Sequence, residues 1–121
     1  VYDRPMIFYP LETLQKMGIK QVLIVCGTEH AGDFAKLLGT GKDFDMRLTY
    51  AIQEGEGGIA DALSLAEDFS AKESVAVILG DNIFSDDFSS EAADFSSGAI
   101  LFAKEVPDPE RFGVVEMTDL G

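Results

Sequence analysis

Two short runs limit the folds open to this chain: QVLIVC at residues 21–26 and VAVIL at residues 75–79. Both are rich in β-branched residues and apolar at successive positions. Neither leaves a polar face for water. Strands of this kind occur where helices cover both sides of a sheet, the usual setting of parallel strands. The segments between them carry helical periodicity. Residues 5–17 place Ile7, Leu11 and Leu14 on one stripe, with Pro10 marking a helix start or a kink and Gly18 a stop. Thr28 is a candidate cap for a second helix over 29–38, ending at Gly39. The run RLTYAI at 47–52 reads as a strand. The Gly-rich turn EGEGG then leads into a third helix over 59–69, with Ile59, Leu63 and Ala66 on one side. After the 75–79 strand come a Ser-rich helical segment at 85–96, a strand at 99–106, a PDPERFG loop and a last strand beginning at VVEM. The alternation predicts a mostly parallel sheet with helices on both faces. Parallel sheets feed each helix from a strand, so the opening helix predicts a strand and loop ahead of Val1, and TDLG predicts a continuation.

The chain has 121 residues, which suits one domain or a piece of one. Its formal charge is −13, from 22 acidic and 9 basic residues. That balance opposes binding to nucleic acid or an anionic membrane, both of which need Lys and Arg against phosphate. It leaves room for a small phosphorylated substrate whose charge a divalent cation offsets locally. Cys26 is the single cysteine, so no internal disulfide forms, and a cytoplasmic setting is the expectation. No apolar run is long enough to span a membrane, and no signal peptide is visible.

Three clusters are candidates for chemistry, and each has a bland counterpart. Asp81 and Asn82 leave the tip of the 75–79 strand, and ligands of open parallel sheets sit outside the carboxyl ends of strands. A carboxylate there suits a hard cation such as Mg²⁺; it equally suits a helix cap or an Asx turn. Gln53-Glu54-Gly55-Glu56-Gly57-Gly58 joins a strand end to a helix start. Glu54 and Glu56 would repel a phosphate. A neutral ring with amide-like edges fits Gln53, and Gly58 lets it approach the backbone; the alternative is a flexible acidic turn. Phe112 and Gly113 offer an apolar wall and an open backbone, or an ordinary loop. His30 reads as a solvated histidine, Cys26 as a small core residue, and Asp86 and Asp87 as a solvated helix start. No Ser-His-Asp set, zinc spacing or Walker-type loop is present.

Taken in order, VYDRPMIFYPLETLQKMGIKQVLIV, IQEGEGGIADAL, VILGDNIF and DPERFGVVE resemble the sugar-1-phosphate nucleotidylyltransferases over essentially the whole chain. The likeness is greatest to the glucose-1-phosphate thymidylyltransferase branch. The resemblance implies a Rossmann-like three-layer α/β sandwich, here incomplete, with residues 1–121 as the central part of a single domain. It implies transfer of a nucleotidyl group from a nucleoside triphosphate, dTTP favoured, to a sugar-1-phosphate, glucose-1-phosphate favoured. A sugar-phosphate oxygen attacks the α-phosphorus in line and pyrophosphate leaves, so positioning and charge neutralisation dominate.

By the same resemblance, Gln53 and Gly58 read a thymine or uracil base, and Asp81 ligates Mg²⁺ with Asn82 beside it. Gly113, preceded by Phe112 where the family often has Tyr, touches the hexose. The family's GxGTR loop and a Lys are expected before Val1. A second metal-binding Asp and a Glu-Lys-Pro motif are expected beyond Gly121. The missing strand would sit inside the sheet, so the resemblance predicts that these residues alone are inactive and poorly stable, or associate through the gap. A non-catalytic binding or assembly domain and a UTP-dependent uridylyltransferase are the alternatives. The family often forms oligomers of identical chains, though nothing in these residues specifies an interface.

Overall fold

The structure, a computed structural model, describes residues 3–55 and 57–117. Glu56 and the TDLG stretch therefore lie outside the described residues.

Helix α1, Phe8–Lys16, begins just ahead of Pro10. Pro10 sits in the first turn, where its missing N–H would have had no intrahelical acceptor, so the helix starts there and does not kink. The other end closes with a paired motif. The Gly18 N–H donates to the Gln15 carbonyl and the Ile19 N–H to the Leu14 carbonyl, at 3.0 and 3.1 Å. This needs the left-handed backbone that Gly18 adopts at φ +79°.

Strand β1, Gln21–Gly27, follows, then α2, Ala31–Leu38, and β2, Arg47–Gln53. β1 and β2 pair in parallel, from Gln21 opposite Arg47 to Gly27 opposite Gln53. A parallel pair cannot be joined by a tight hairpin, and α2 is the connection. His30, not Thr28, stands at the N-cap of α2, and no side chain caps it. A turn closed by the His30 N–H on the Gly27 carbonyl delays the helix past Thr28. Gly39 ends α2 as expected, with φ +54°. A 3₁₀ turn, Lys42–Phe44, which the sequence did not signal, precedes β2.

The core lies on one side of this unit. Leu11 and Leu14 of α1, Leu38 of α2, Phe44, and Val22, Ile24 and Leu48 of the strands form one buried cluster. Gln15 ties α1 to the 3₁₀ turn by donating from Nε2 to the Phe44 carbonyl at 2.8 Å. Phe8 meets Phe44 edge-on at 5.1 Å.

Beyond Gln53 the expectations hold less well. The predicted third helix is two short ones, α3, Gly58–Ser64, and α4, Glu67–Ser70, with no buried residue in either. Residues 65 and 66 interrupt the run, and the Ala66 N–H closes a turn on the Leu63 carbonyl. Helix α5 is Ser89–Asp94, shorter than the 85–96 expected. The three later strands do not form. Among the described residues the sheet has two strands, and residues 75–79, 99–106 and 114–117 are unpaired.

The reason is physical. A strand is a hydrogen-bonding partnership, and apolar sequence alone does not supply the partner. Between β1 and residues 73–80 runs a slot of ≈ 550 Å³. Ile7, Leu11 and Leu14 of α1 wall it, as do Ile59 and Leu63 of α3. Leu23 and Val25, on the face of β1 opposite the core, also line it. Val75, Val77 and Leu79 remain 52%, 55% and 42% exposed. Further on, Leu101 and Val114 are 73% and 75% exposed, and Phe102 meets one ring, that of Phe88, at 4.3 Å.

Candidate functional site

The sheet ends at Gln53, the last residue of β2, opposite Gly27. Its backbone is therefore fixed while its side chain reaches into the turn that opens α3. There its Nε2 donates to the Gly58 carbonyl at 3.0 Å and to Asp61 Oδ2 at 2.7 Å. Both neighbours are pure acceptors, so the amide nitrogen must face them and Oε1 faces away. Gly58 has φ +74°, a conformation that favours glycine, and a methyl built on it would meet nothing within 4 Å. A flat ring has open space over that backbone. Gln53 and Gly58, read together in the sequence as a base-reading turn, are in contact.

Asp61 is the residue that sequence reading missed. It lies in the first turn of α3, on the same face as Gly57. The Gly57-to-Asp61 spacing was the available signal. The carboxylate packs so closely on Gly57 that a Cβ there would fall 2.5 Å from Asp61 Cγ and Oδ2.

Asp81 and Asn82 follow the extended residues 75–79. The Asn82 N–H closes a turn on the Leu79 carbonyl at 3.1 Å. Gly80 lies against α1, where an added Cβ would meet Ile7 Cδ1 at 3.3 Å. Asp81 is exposed and caps no helix. Among the described residues its carboxylate accepts one long contact, from Asn82 Nδ2 at 3.5 Å. Phe88 is the N-cap of α5, and just ahead of it Asp87 Oδ1 accepts the Ser89 N–H at 2.9 Å and the Ser89 hydroxyl. Those bonds hold the Asp87 carboxyl below the ordinary aspartate value. Ser89 Oγ also lies 2.9 Å from the Lys16 carbonyl, which shares the hydroxyl's single hydrogen with Asp87, and so sets α5 beside the end of α1.

The donor set at Asp81 fits a hard cation in one respect: its carboxylate is exposed and, among the described residues, carries only the long contact from Asn82. Among the described residues no group of three or more His, Cys, Asp or Glu side chains is gathered to hold a metal. No hydrogen bond joins Asp81 to the 53–58 turn among the described residues. No hydrogen bond joins Phe112 or Gly113 to either among the described residues. They follow a 3₁₀ turn, Pro109–Arg111, with Phe112 57% exposed and Gly113 in open space.

Cys26 is buried, and desolvation pushes its thiol up, away from the thiolate a nucleophile needs. His30 is exposed at a helix start. No helix among the described residues is long and apolar enough to cross a membrane.

A βαβ unit with helices against its sheet and polar groups gathered past its strand ends defines the class: an incomplete Rossmann-like α/β fold. The comparisons narrow it. The nucleotidyl transferase family model matches residues 1–121, and the chain belongs to that family. It is 42% identical over 123 residues to a glucose-1-phosphate thymidylyltransferase of Neisseria meningitidis, covering 98% of this chain and 43% of that protein. A protein of the same name from Actinoplanes is 41% identical, covering 100% of this chain and 41% of its own length. A Bacillus anthracis crystal structure, provisionally assigned as a glucose-1-phosphate thymidylyltransferase and determined with a sucrose, superposes with a TM-score of 0.87 at 42% identity. It covers 95% of this chain and 48% of that one. The chain therefore spans less than half the length of these relatives.

Proposed function

We propose that residues 1–121 are the central part of a single nucleotidyltransferase domain. The complete protein would transfer a nucleotidyl group from dTTP to glucose-1-phosphate and release pyrophosphate, in the cytoplasm. One observation carries the reading: Gln53, fixed at the end of the sheet, stands over an open Gly58 backbone with its amide already oriented. That is a place for the edge and face of a base. The resemblance of this turn to the family's motif supports the reading.

In this reading each residue has a limited task. Gln53 bonds the base edge, and Gly58 leaves room for the ring. Asp81 would hold a divalent cation, Mg²⁺ by its hard oxygen donors, with Asn82 steadying the carboxylate. Such a cation, when bound, neutralises charge on the phosphates. Phe112 and Gly113 would border the hexose. The exposed acidic surface of the chain makes such neutralisation necessary, since phosphate would otherwise be repelled.

Pyrophosphate release by the complete protein, supplied with dTTP and glucose-1-phosphate, tests the reading. Asp81→Asn and Gln53→Ala are each expected to lower turnover with folding intact. Full turnover in both variants would refute the assigned roles.

A further inference from the structure

We infer that Asp61 is a positioning residue that locks the Gln53 amide with its oxygen toward the ligand, so that the turn accepts a nucleobase carrying a ring N–H donor, such as thymine or uracil, and disfavours cytosine. The inference rests on the reading of Gln53 as the base-contacting residue.

An amide NH₂ has two hydrogens. One goes to the Gly58 carbonyl and one to Asp61 Oδ2. Turning the amide over would set Oε1 against two acceptors, one of them charged, so the charge-assisted bond at 2.7 Å holds one orientation. The group left for a ligand is then an acceptor alone. The ring N3 of thymine or uracil is a donor and pairs with it. The same position in cytosine is an acceptor and is repelled.

Asp61 is itself held. Its carboxylate occupies the space where a side chain at Gly57 would stand, and its backbone belongs to α3. The selecting group is thus set by three parts: the strand end, the helix start and a glycine between them.

The experiment compares dTTP and dCTP affinity, by equilibrium titration, for the protein and for Asp61→Ala, Asp61→Asn, Asp61→Glu and Gln53→Ala. The dTTP preference should fall about tenfold in Asp61→Ala, the size of one misplaced hydrogen bond. In Asp61→Asn, whose Oδ1 still accepts the bond but without charge, it should fall less than in Asp61→Ala. Asp61→Glu, which keeps an acceptor, should recover part of it. Circular dichroism checks the fold of each variant, and the near-isosteric Asn variant keeps the comparison readable if the Ala variant unfolds. An equal loss of both affinities would mark Asp61 as merely structural and overturn the inference. An unchanged preference at Asp61, with a lowered one in Gln53→Ala, would overturn it while leaving Gln53 as base reader. No change in Gln53→Ala would bring down that reading and the inference with it.

Discussion

Gly27 and Gln53 form the last rung of the parallel ladder. Everything proposed for base recognition starts from that pairing, because it fixes where the Gln53 side chain begins. The amide is then turned by contacts from the next helix.

Gly57→Ala isolates that second contact. Gly57 has φ −74°, so alanine fits the backbone, yet its Cβ would fall 2.5 Å from the Asp61 carboxylate. Helix stability should change by about 1 kcal/mol or less. The dTTP affinity should drop severalfold as Asp61 is displaced. Titration beside thermal melting checks both, and unchanged affinity would mean that the carboxylate moves aside without consequence.

Asp81→Asn separates a ligand from a cap. Among the described residues the carboxylate caps no helix, so the variant should melt within about 0.5 kcal/mol of the parent, as surface substitutions do. Most metal-dependent turnover should be lost. A variant that unfolds would show that the carboxylate is structural.

The core makes a contrasting prediction. Leu11 is 2% exposed and sits between α1 and the sheet. Leu11→Ala should cost about 2–5 kcal/mol, the sum of lost burial and a residual cavity. Denaturant titration measures it.

Two aspartates set a response to acid. Lys20 Nζ lies 2.6 Å from Asp45 Oδ2, and its hydrogen bond, followed by its charge, holds that carboxyl below the ordinary 3.8. The Ser89 side chain and then its backbone do the same for Asp87. A carboxyl lowered in the folded state binds fewer protons there than when unfolded. Its stabilisation is therefore full above pH 3.8 and fades as pH falls through the lowered value. Melting temperatures of Lys20→Ala and Ser89→Ala should lie below the parent's at neutral pH and approach it in acid. A constant gap would contradict the assignment.

The first half of the fold was legible in the sequence, because its information is local. Gly18 ends α1 through its own backbone, and QVLIVC finds RLTYAI one helix later. VAVIL was read as a strand with equal reason, but its edge faces the slot instead of a partner. The expectation that these residues alone are inactive and poorly stable, or associate through the gap, turns on that slot. Val77→Lys should suppress any concentration-dependent association seen by sedimentation, and association that persists would place the contact elsewhere. At the site, Gln53, Gly58 and Asp81 stood out by residue type. Asp61 did not, because an acidic residue in a first helical turn is ordinary until its partner is known. Phe112 and Gly113 also stood out by residue type, as an apolar wall and an open backbone, and the resemblance added the hexose to that reading.

The central claim is that the 53–58 turn and the Asp81 tip serve one nucleotide. Nuclear magnetic resonance of the labelled protein, titrated with dTTP in the presence of Mg²⁺, tests it most directly. The account predicts that backbone signals of 53–61 and of 80–82 shift together along one binding curve. Shifts confined to one of the two segments, or to neither, would contradict it.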